Sequence, residues 1–270
     1  MVFEELLKTS GLTTGDHLII HSSYRFIRRI FEGMAPDLFI ELIQKIVTEE
    51  GSIIIPVFTY NFESIFGEQP QFDKSASASA TGALGNVMLC MPDVKRTASP
   101  THSFAVWGKA AAEIDDEYVP ISPLGLDSPL SWFSMRPNAK VLMLGCNFNS
   151  LSILHFIENI TPAPYKDFFC WSFMGKIPSA IYKERKYKFS EVPGCSKAFV
   201  NFETHCLSEK IISPLRIKDD SYYLIDAKTL IYEGKKFIQS NFIRLLCPPG
   251  ECIACDSRHL FLEQKNISSA

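Results

Sequence analysis

The sequence predicts an α/β fold, a layered α/β/α core on a largely parallel or mixed central sheet. Three observations lead there. Short apolar runs alternate with helical patterns through residues 15–160. The run Ser52–Phe58 (SIIIPVF) is apolar on both faces, which suits a strand covered by helices on each side of its sheet. Polar groups gather where candidate strands end, as in His21-Ser22-Ser23 and Thr59-Tyr60-Asn61, and open α/β sheets bind ligands beyond such ends. After Thr161 the pattern changes, and a small antiparallel excursion is expected.

In chain order, Phe3, Leu6 and Leu7 share one side of a short amphipathic helix that Gly11 stops. Residues 18–20 (LII) form a strand ending at His21. Pro36 opens a helix through about Val47, where its missing N–H costs nothing, with Leu38, Phe39, Leu42, Ile43 and Ile46 as the apolar face. Pro56 places itself at a sheet edge or a strand end. Residues 63–80, with Gly67, Pro70 and a run of small polar residues, form a loop of functional length. A helix spans about Gly82–Cys90, a strand 103–107, a helical turn 110–114, a loop 118–129 and a short helix 130–135. A strand at 141–144 enters the turn 145–150, and a helix follows over about 151–159. Beyond Pro162 and Pro164, the runs FFCWSF and YKERKYKF form the excursion. The second reads as a solvated hairpin or as a basic rim over phosphates. A helix returns near Ala198, Tyr222–Ile225 and Thr229–Tyr232 read as short strands, and 235–244 as a helix. One domain covers 1–270, with 162–197 set apart as a small subdomain and 248–270 as a divergent tail.

The chain of 270 residues is 46% hydrophobic, enough for a large core, and carries a net charge of -3. It offers no basic surplus for phosphate backbones, so nucleic acid is not expected as a partner. No apolar run of about 20 residues is present, so no membrane span is expected. The start, MVFEELLKTSGL, lacks the basic and apolar stretches of a signal peptide. A cytoplasmic location is therefore expected, and a homo-oligomer stays open. The 8 cysteines are not read as disulfides, given a large core and no export signal. Cys90, Cys170, Cys206 and Cys247 read as small core residues. Cys252 and Cys255 form a lone CxxC between Cys247 and His259. A zinc or redox site is the alternative there, but no metal is assigned without a second spaced pair.

Candidate chemistry sits at strand ends. His21-Ser22-Ser23 offers hydroxyls and free N–H groups that suit phosphate, or simply a capping turn. Arg25 follows, as a phosphate partner or a surface ion pair. Thr101-His102-Ser103 and Asn147-Phe148-Asn149-Ser150 flank two more strands. His155 and Glu158 stand three apart, on one helix face. A carboxylate beside an imidazole fixes its tautomer and raises its basicity, or forms a structural hydrogen bond only. No glycine-rich nucleotide fingerprint and no GxSxG elbow is present.

HSSYRF at 21–26, IIIPVFTYNF at 53–62, FDKSASASATGALGNV at 72–87, SPTHSFAVWGKAA at 99–111, LDSPL at 126–130 and VLMLGCNFNSLSILHFIE at 141–158 together resemble the aminoglycoside 3-N-acetyltransferase family. The resemblance covers most of residues 15–160 and more loosely 198–246. It implies direct transfer of an acetyl group from acetyl-CoA to the amine of a small sugar-like acceptor. By the same resemblance His155 is the base, with Glu158 beside it and His102 as the rival for that role, and His102 or Ser103 lies near the reacting acetyl. The cofactor would lie against His21, Ser22, Ser23, Arg25, Phe58, Thr59 and Ser103. Asp73, Asn86, Asn147 and Asn149 would meet the acceptor. Where the family carries an acid in its TGxLxE pattern, this sequence has Asn86. That departure points away from a polycationic antibiotic and toward a singly aminated sugar, nucleotide-linked in one version, with an aminoglycoside as the alternative. Two further readings stay open: a Cys146–His155 acyl-enzyme, and a catalytically idle module that holds coenzyme A or a sugar.

Overall fold

The computed structural model of the protein describes residues 3–190, 192–218 and 220–267. Its main sheet is built on three parallel strands, β1 (His17–Ser22), β2 (Ser52–Pro56) and β6 (Ala139–Leu144), with β1 in the middle. On one side β5 (Phe104–Gly108) runs antiparallel to β2, and β4 (Lys95–Arg96) antiparallel to β5. On the other, β10 (Asp220–Asp226) runs antiparallel to β6, and β9 (Leu215–Ile217) antiparallel to β10. The central sheet is thus mixed, with its parallel part at the centre. A second small sheet joins β3 (Gln71–Phe72) to the antiparallel hairpin β7 (Ser179–Tyr182) and β8 (Arg185–Lys188).

Alternation along the strands separates two cores. Leu18, Ile20, Ile53, Ile55, Leu142 and Leu144 join a cluster with α1 (Phe3–Thr9), α2 (Tyr24–Ile30), α3 (Pro36–Val47) and α4 (Ala83–Met88). Ile19, Ile54, Val141 and Met143 join the other, with α5 (Lys109–Glu113), α6 (Pro129–Ser134), α7 (Ser152–Ile160), α8 (Val200–Ser208), α9 (Ala227–Asn241) and α10 (Ile253–Gln264). Residues one apart on a strand face opposite ways, so a strand apolar at every position needs both helix layers. A third, smaller cluster under the second sheet holds Phe62, Phe72, Tyr182 and Phe189.

Several expectations change. Leu38 is 44% exposed, and the stripe of α3 runs instead through Phe39, Ile40, Ile43, Ile46 and Val47, a single helical face. The run FFCWSF forms no strand: Cys170 is buried in the main core and Phe168 stacks on Phe261 of α10. Thr229–Tyr232 is helical, because the Asp226 carboxylate accepts the Thr229 N–H at 2.8 Å and starts α9. Cys90 is exposed rather than core. The segment read as a tail contributes α10, with Ala254, Cys255 and Leu262 in the main core. The basic run at 182–189 forms the hairpin β7–β8, in which Lys183 and Lys186 pair with Glu117 and Glu63. Among the described residues no helix is long and apolar enough to cross a membrane.

Candidate active site

A cavity of about 590 Å³ opens at the carboxyl ends of β1 and β2. His21 and Ser22 reach it from the end of β1, Pro56 and Phe58 from the end of β2, and Ser152 and His155 from α7. Thr81 and Gly82 close it from the loop before α4, and residues 193–197 form the far wall. The turn that delivers α7 requires Gly145, whose φ is +67° and where any Cβ would lie 2.2 Å from the Phe26 ring.

His155 is the best-supported titratable group in this space. Its Nδ1 lies 2.7 Å from Glu158 Oε2, and the Tyr165 hydroxyl donates to Glu158 Oε1 at 2.9 Å. A carboxylate only accepts, so Nδ1 carries the proton and Nε2 keeps the lone pair. Burial alone would raise the Glu158 carboxyl, yet it is held below its usual range by the hydrogen bond and charge of His155, by the Arg258 charge and by Tyr165. Burial, and then Glu158, keep Tyr165 protonated well beyond its ordinary range. Arg258 is itself buried, with its guanidinium 4.5 Å over the Tyr165 ring. The Phe199 ring packs on the imidazole at 4.7 Å. A fixed tautomer with a charged backer is the arrangement of a general base.

His102 also lines the cavity, but among Phe58, Tyr60 and Phe62, with Nδ1 2.9 Å from the Thr101 hydroxyl. Burial, and then the neighbouring His155, hold it down to about 3, so it is neutral at ordinary pH. His21 is likewise pushed down to about 4 by burial, with Nε2 3.4 Å from the Ser152 hydroxyl.

The model of the family described as aminoglycoside 3-N-acetyltransferase matches residues 19–239. The chain belongs to this family. A curated relative, the SPbeta prophage-derived aminoglycoside N(3')-acetyltransferase-like protein YokD of Bacillus subtilis (strain 168), is 28% identical over 177 residues. That alignment spans 58% of this chain and 64% of the relative, so less than two thirds of the relative's length is matched. Among solved structures, aminoglycoside acetyltransferase AAC(3)-IVa as apoenzyme superposes with a TM-score of 0.77 at 21% identity, over 95% of each chain. The binary complex of AAC-IIIb with CoASH superposes with a TM-score of 0.70 at 21% identity, over 87% of this chain and 94% of that one. At these identities the two superpositions establish the fold.

Against this aminoglycoside 3-N-acetyltransferase fold, the expected site residues divide. His21, Ser22, Phe58, His102, Asn149 and His155 line the cavity, and Glu158 stands directly behind His155. The others lie outside its lining. Ser103 is fully buried and turned away: its hydroxyl donates to the Val57 carbonyl at 2.8 Å and accepts from Arg96 Nε at 3.0 Å. Thr59 donates to the Pro100 carbonyl. Ser23 caps α2, accepting from Phe26 N at 3.4 Å, and Arg25 is exposed on that helix. Asp73 accepts from its own loop at Ser75 and Ala76. Asn147 caps the turn before α7. Asn86 accepts the Ser79 N–H at 2.8 Å and so shapes the 79–82 loop instead of facing an acceptor. The thiol of Cys146 donates to the His21 carbonyl at 3.3 Å and is pushed up to about 12 by burial, so it is no nucleophile partner for His155. Sequence reasoning missed Tyr165 and Arg258, which stand behind the His155–Glu158 pair, and the cavity lysines Lys176 and Lys197.

Proposed function

We propose that the protein is an acetyl-CoA-dependent N-acetyltransferase that acts by direct transfer on an amine of an aminoglycoside-type acceptor. The single observation that carries the transferase reading is the buried relay Tyr165–Glu158–His155, which engages Nδ1 and leaves Nε2 of this cavity-lining histidine to accept a proton. In the reaction, Nε2 takes a proton from the attacking amine as nitrogen adds to the thioester carbonyl. The imidazolium that forms is stabilised by the Glu158 carboxylate. The C–S bond then breaks and coenzyme A leaves as a thiol. Ser103 is committed elsewhere, so the oxyanion would draw on hydroxyls that line the cavity, with Ser152 on the same helix as the base. Lys176 and Lys197 at the cavity wall suit the phosphates of the cofactor, in line with a coenzyme A complex of the same fold.

Family membership supports the aminoglycoside acceptor over the nucleotide-linked sugar. The position of Asn86 removes the main argument against it, since that side chain holds its own loop. One observation favours a less cationic amino sugar as a second reading. Among the described residues the cavity lining carries Lys176 and Lys197 and no carboxylate.

The test is thiol release from acetyl-CoA with a panel of aminoglycosides, amino sugars and nucleotide-linked amino sugars. Aminoglycosides are expected to be acetylated most efficiently, and His155→Ala to lose about 10²- to 10⁴-fold in turnover. A folded His155→Ala variant with the turnover of the unsubstituted protein refutes the base. Release with none of the amines, under conditions where acetyl-CoA binds, refutes the transferase.

A further inference from the structure

Four cysteines remain that the acetyl transfer does not use. The sulfurs of Cys195, Cys247, Cys252 and Cys255 all lie within 4.8 Å of one another, and those of Cys195 and Cys247 are 3.8 Å apart. Cys195, Cys247 and Cys255 are buried and Cys252 is half-buried. The sequence offered only a lone CxxC with Cys247 and His259 nearby. The fold brings in Cys195 across 52 residues from Cys247. His259 takes a different role, its Nε2 2.9 Å from the Cys247 carbonyl.

The geometry fits one tetrahedral ion. Zinc–sulfur bonds of about 2.3 Å set the sulfurs of a tetrahedral site about 3.8 Å apart, the Cys195–Cys247 separation. Cys252 occupies the N-cap position of α10 and Cys255 lies in its first turn, so one helix end presents two of the four sulfurs. The Lys197 N–H points at the Cys195 sulfur at 3.4 Å.

A second observation is independent of spacing. Arg258 is 2% exposed, and its Nε and Nη1 have no hydrogen-bond partner among the described residues. A buried cation needs nearby negative charge. Glu158 supplies part, and Cys255, three residues before Arg258 on α10, belongs to the four-sulfur cluster. Zinc on four thiolates carries a net charge of -2, whereas four neutral thiols carry none.

We propose that Cys195, Cys247, Cys252 and Cys255 hold one zinc ion in a closed tetrathiolate site. Binding displaces the thiol protons and involves no redox step. With four protein ligands there is no open position for water or substrate, so the ion is structural. It fastens α10 to the wall formed by residues 193–197. Cys195 itself lines the cavity, and Arg258 of α10 packs against Gly194 of that wall and over Tyr165. The ion therefore braces the relay from behind.

The experiment uses the full chain, expressed with added zinc and purified under reducing conditions without chelator. Metal analysis and native mass spectrometry are expected to give one zinc per chain. Cys252→Ser is expected to lower the zinc content at least about 10-fold, while Cys206→Ser, a buried cysteine outside the cluster, keeps it. Should the Cys252 variant fail to fold, cobalt substitution of the unsubstituted protein decides. Intense sulfur-to-cobalt charge transfer with tetrahedral visible bands is expected. A zinc-free protein after incubation with equimolar zinc overturns the proposal. So does iron in place of zinc, or an intact mass that shows these thiols joined as disulfides. None of these readouts depends on acetyl transfer.

Discussion

Glu158→Gln tests the relay at its middle. The carboxylate accepts from His155 Nδ1 at 2.7 Å and from Tyr165 at 2.9 Å. An amide keeps the shape but offers one oxygen for two donors. With that oxygen toward Tyr165, an N–H faces Nδ1, the imidazole must turn its lone pair there, and Nε2 can no longer take a proton. With the oxygen toward His155, the imidazolium keeps a hydrogen bond and loses its countercharge. A hydrogen bond to a charged group contributes about 1.5–3 kcal/mol, and about 1.4 kcal/mol is tenfold in rate. The turnover of Glu158→Gln should therefore fall by about 10- to 160-fold. A fully inverted tautomer sets an outer limit of about 10⁴-fold. Tyr165→Phe removes a hydrogen bond to the same carboxylate but leaves its charge against the imidazole, so it should cost less, no more than about 10-fold. The assay is thiol release at saturating acetyl-CoA, with KM for acetyl-CoA expected to stay unchanged. Each variant is first shown folded by its melting transition. Turnover of folded Glu158→Gln within about twofold of the unsubstituted protein would refute the relay.

Three further outcomes follow from the same geometry. Ser103→Ala should keep turnover while losing about 1–3 kcal/mol in urea melts, because it strips an acceptor from buried Arg96; a large loss of turnover with stability intact would return Ser103 to the chemistry. His21 and His102, held at about 4 and about 3 when folded, bind protons near 6.5 once unfolded. Their contribution is thus full above pH 6.5 and declines as pH falls toward 4, by about 2.7 kcal/mol per pH unit for the two. Urea melts across pH 7 to 4.5 check this, and a flat curve would mean that these imidazoles are not buried neutral. In Gly194→Ala the new Cβ would lie 2.3 Å from Arg258 Nη1. The variant should lose about 1–3 kcal/mol and some turnover, since Arg258 must leave Tyr165; unchanged melting would show that the wall is not pressed on the guanidinium.

What the sequence disclosed follows from the range of each signal. β1, β2 and β6 were legible because strands covered on both faces are apolar at successive positions. α3 was legible through Pro36 at its start, though Leu38 misled by one position. β3, β4 and β9, of two or three residues each, are too short to show a period. Thr229–Tyr232 looked like a strand because Thr, Ile and Tyr favour strands, and the cap at Asp226 overrode them. In the site, His155 and Glu158 were legible because three residues along a helix is one face. Tyr165 and Arg258 were not, since no spacing rule joins them to Glu158 across the breaks at Pro162 and Pro164. Ser103 was misplaced because no spacing rule says which of two neighbours in the turn before β5 faces a cavity, and here His102 does. Cys195 was invisible as a partner of the CxxC for the same reason as Arg258.

The central place of β1 has a kinetic consequence. His21 stands opposite Met143 of β6, so one wall of the cavity waits for a loop of more than a hundred residues to close. Helices such as α3 are local and form early, whereas pairings this distant in the chain come late and slow the search. During refolding, helical ellipticity should recover first and turnover last, with a window in which the chain is largely helical and inert. Catalytic activity is then the stricter clock for completion of the native state, and a proteolytic cut anywhere between β1 and β6 should stop it.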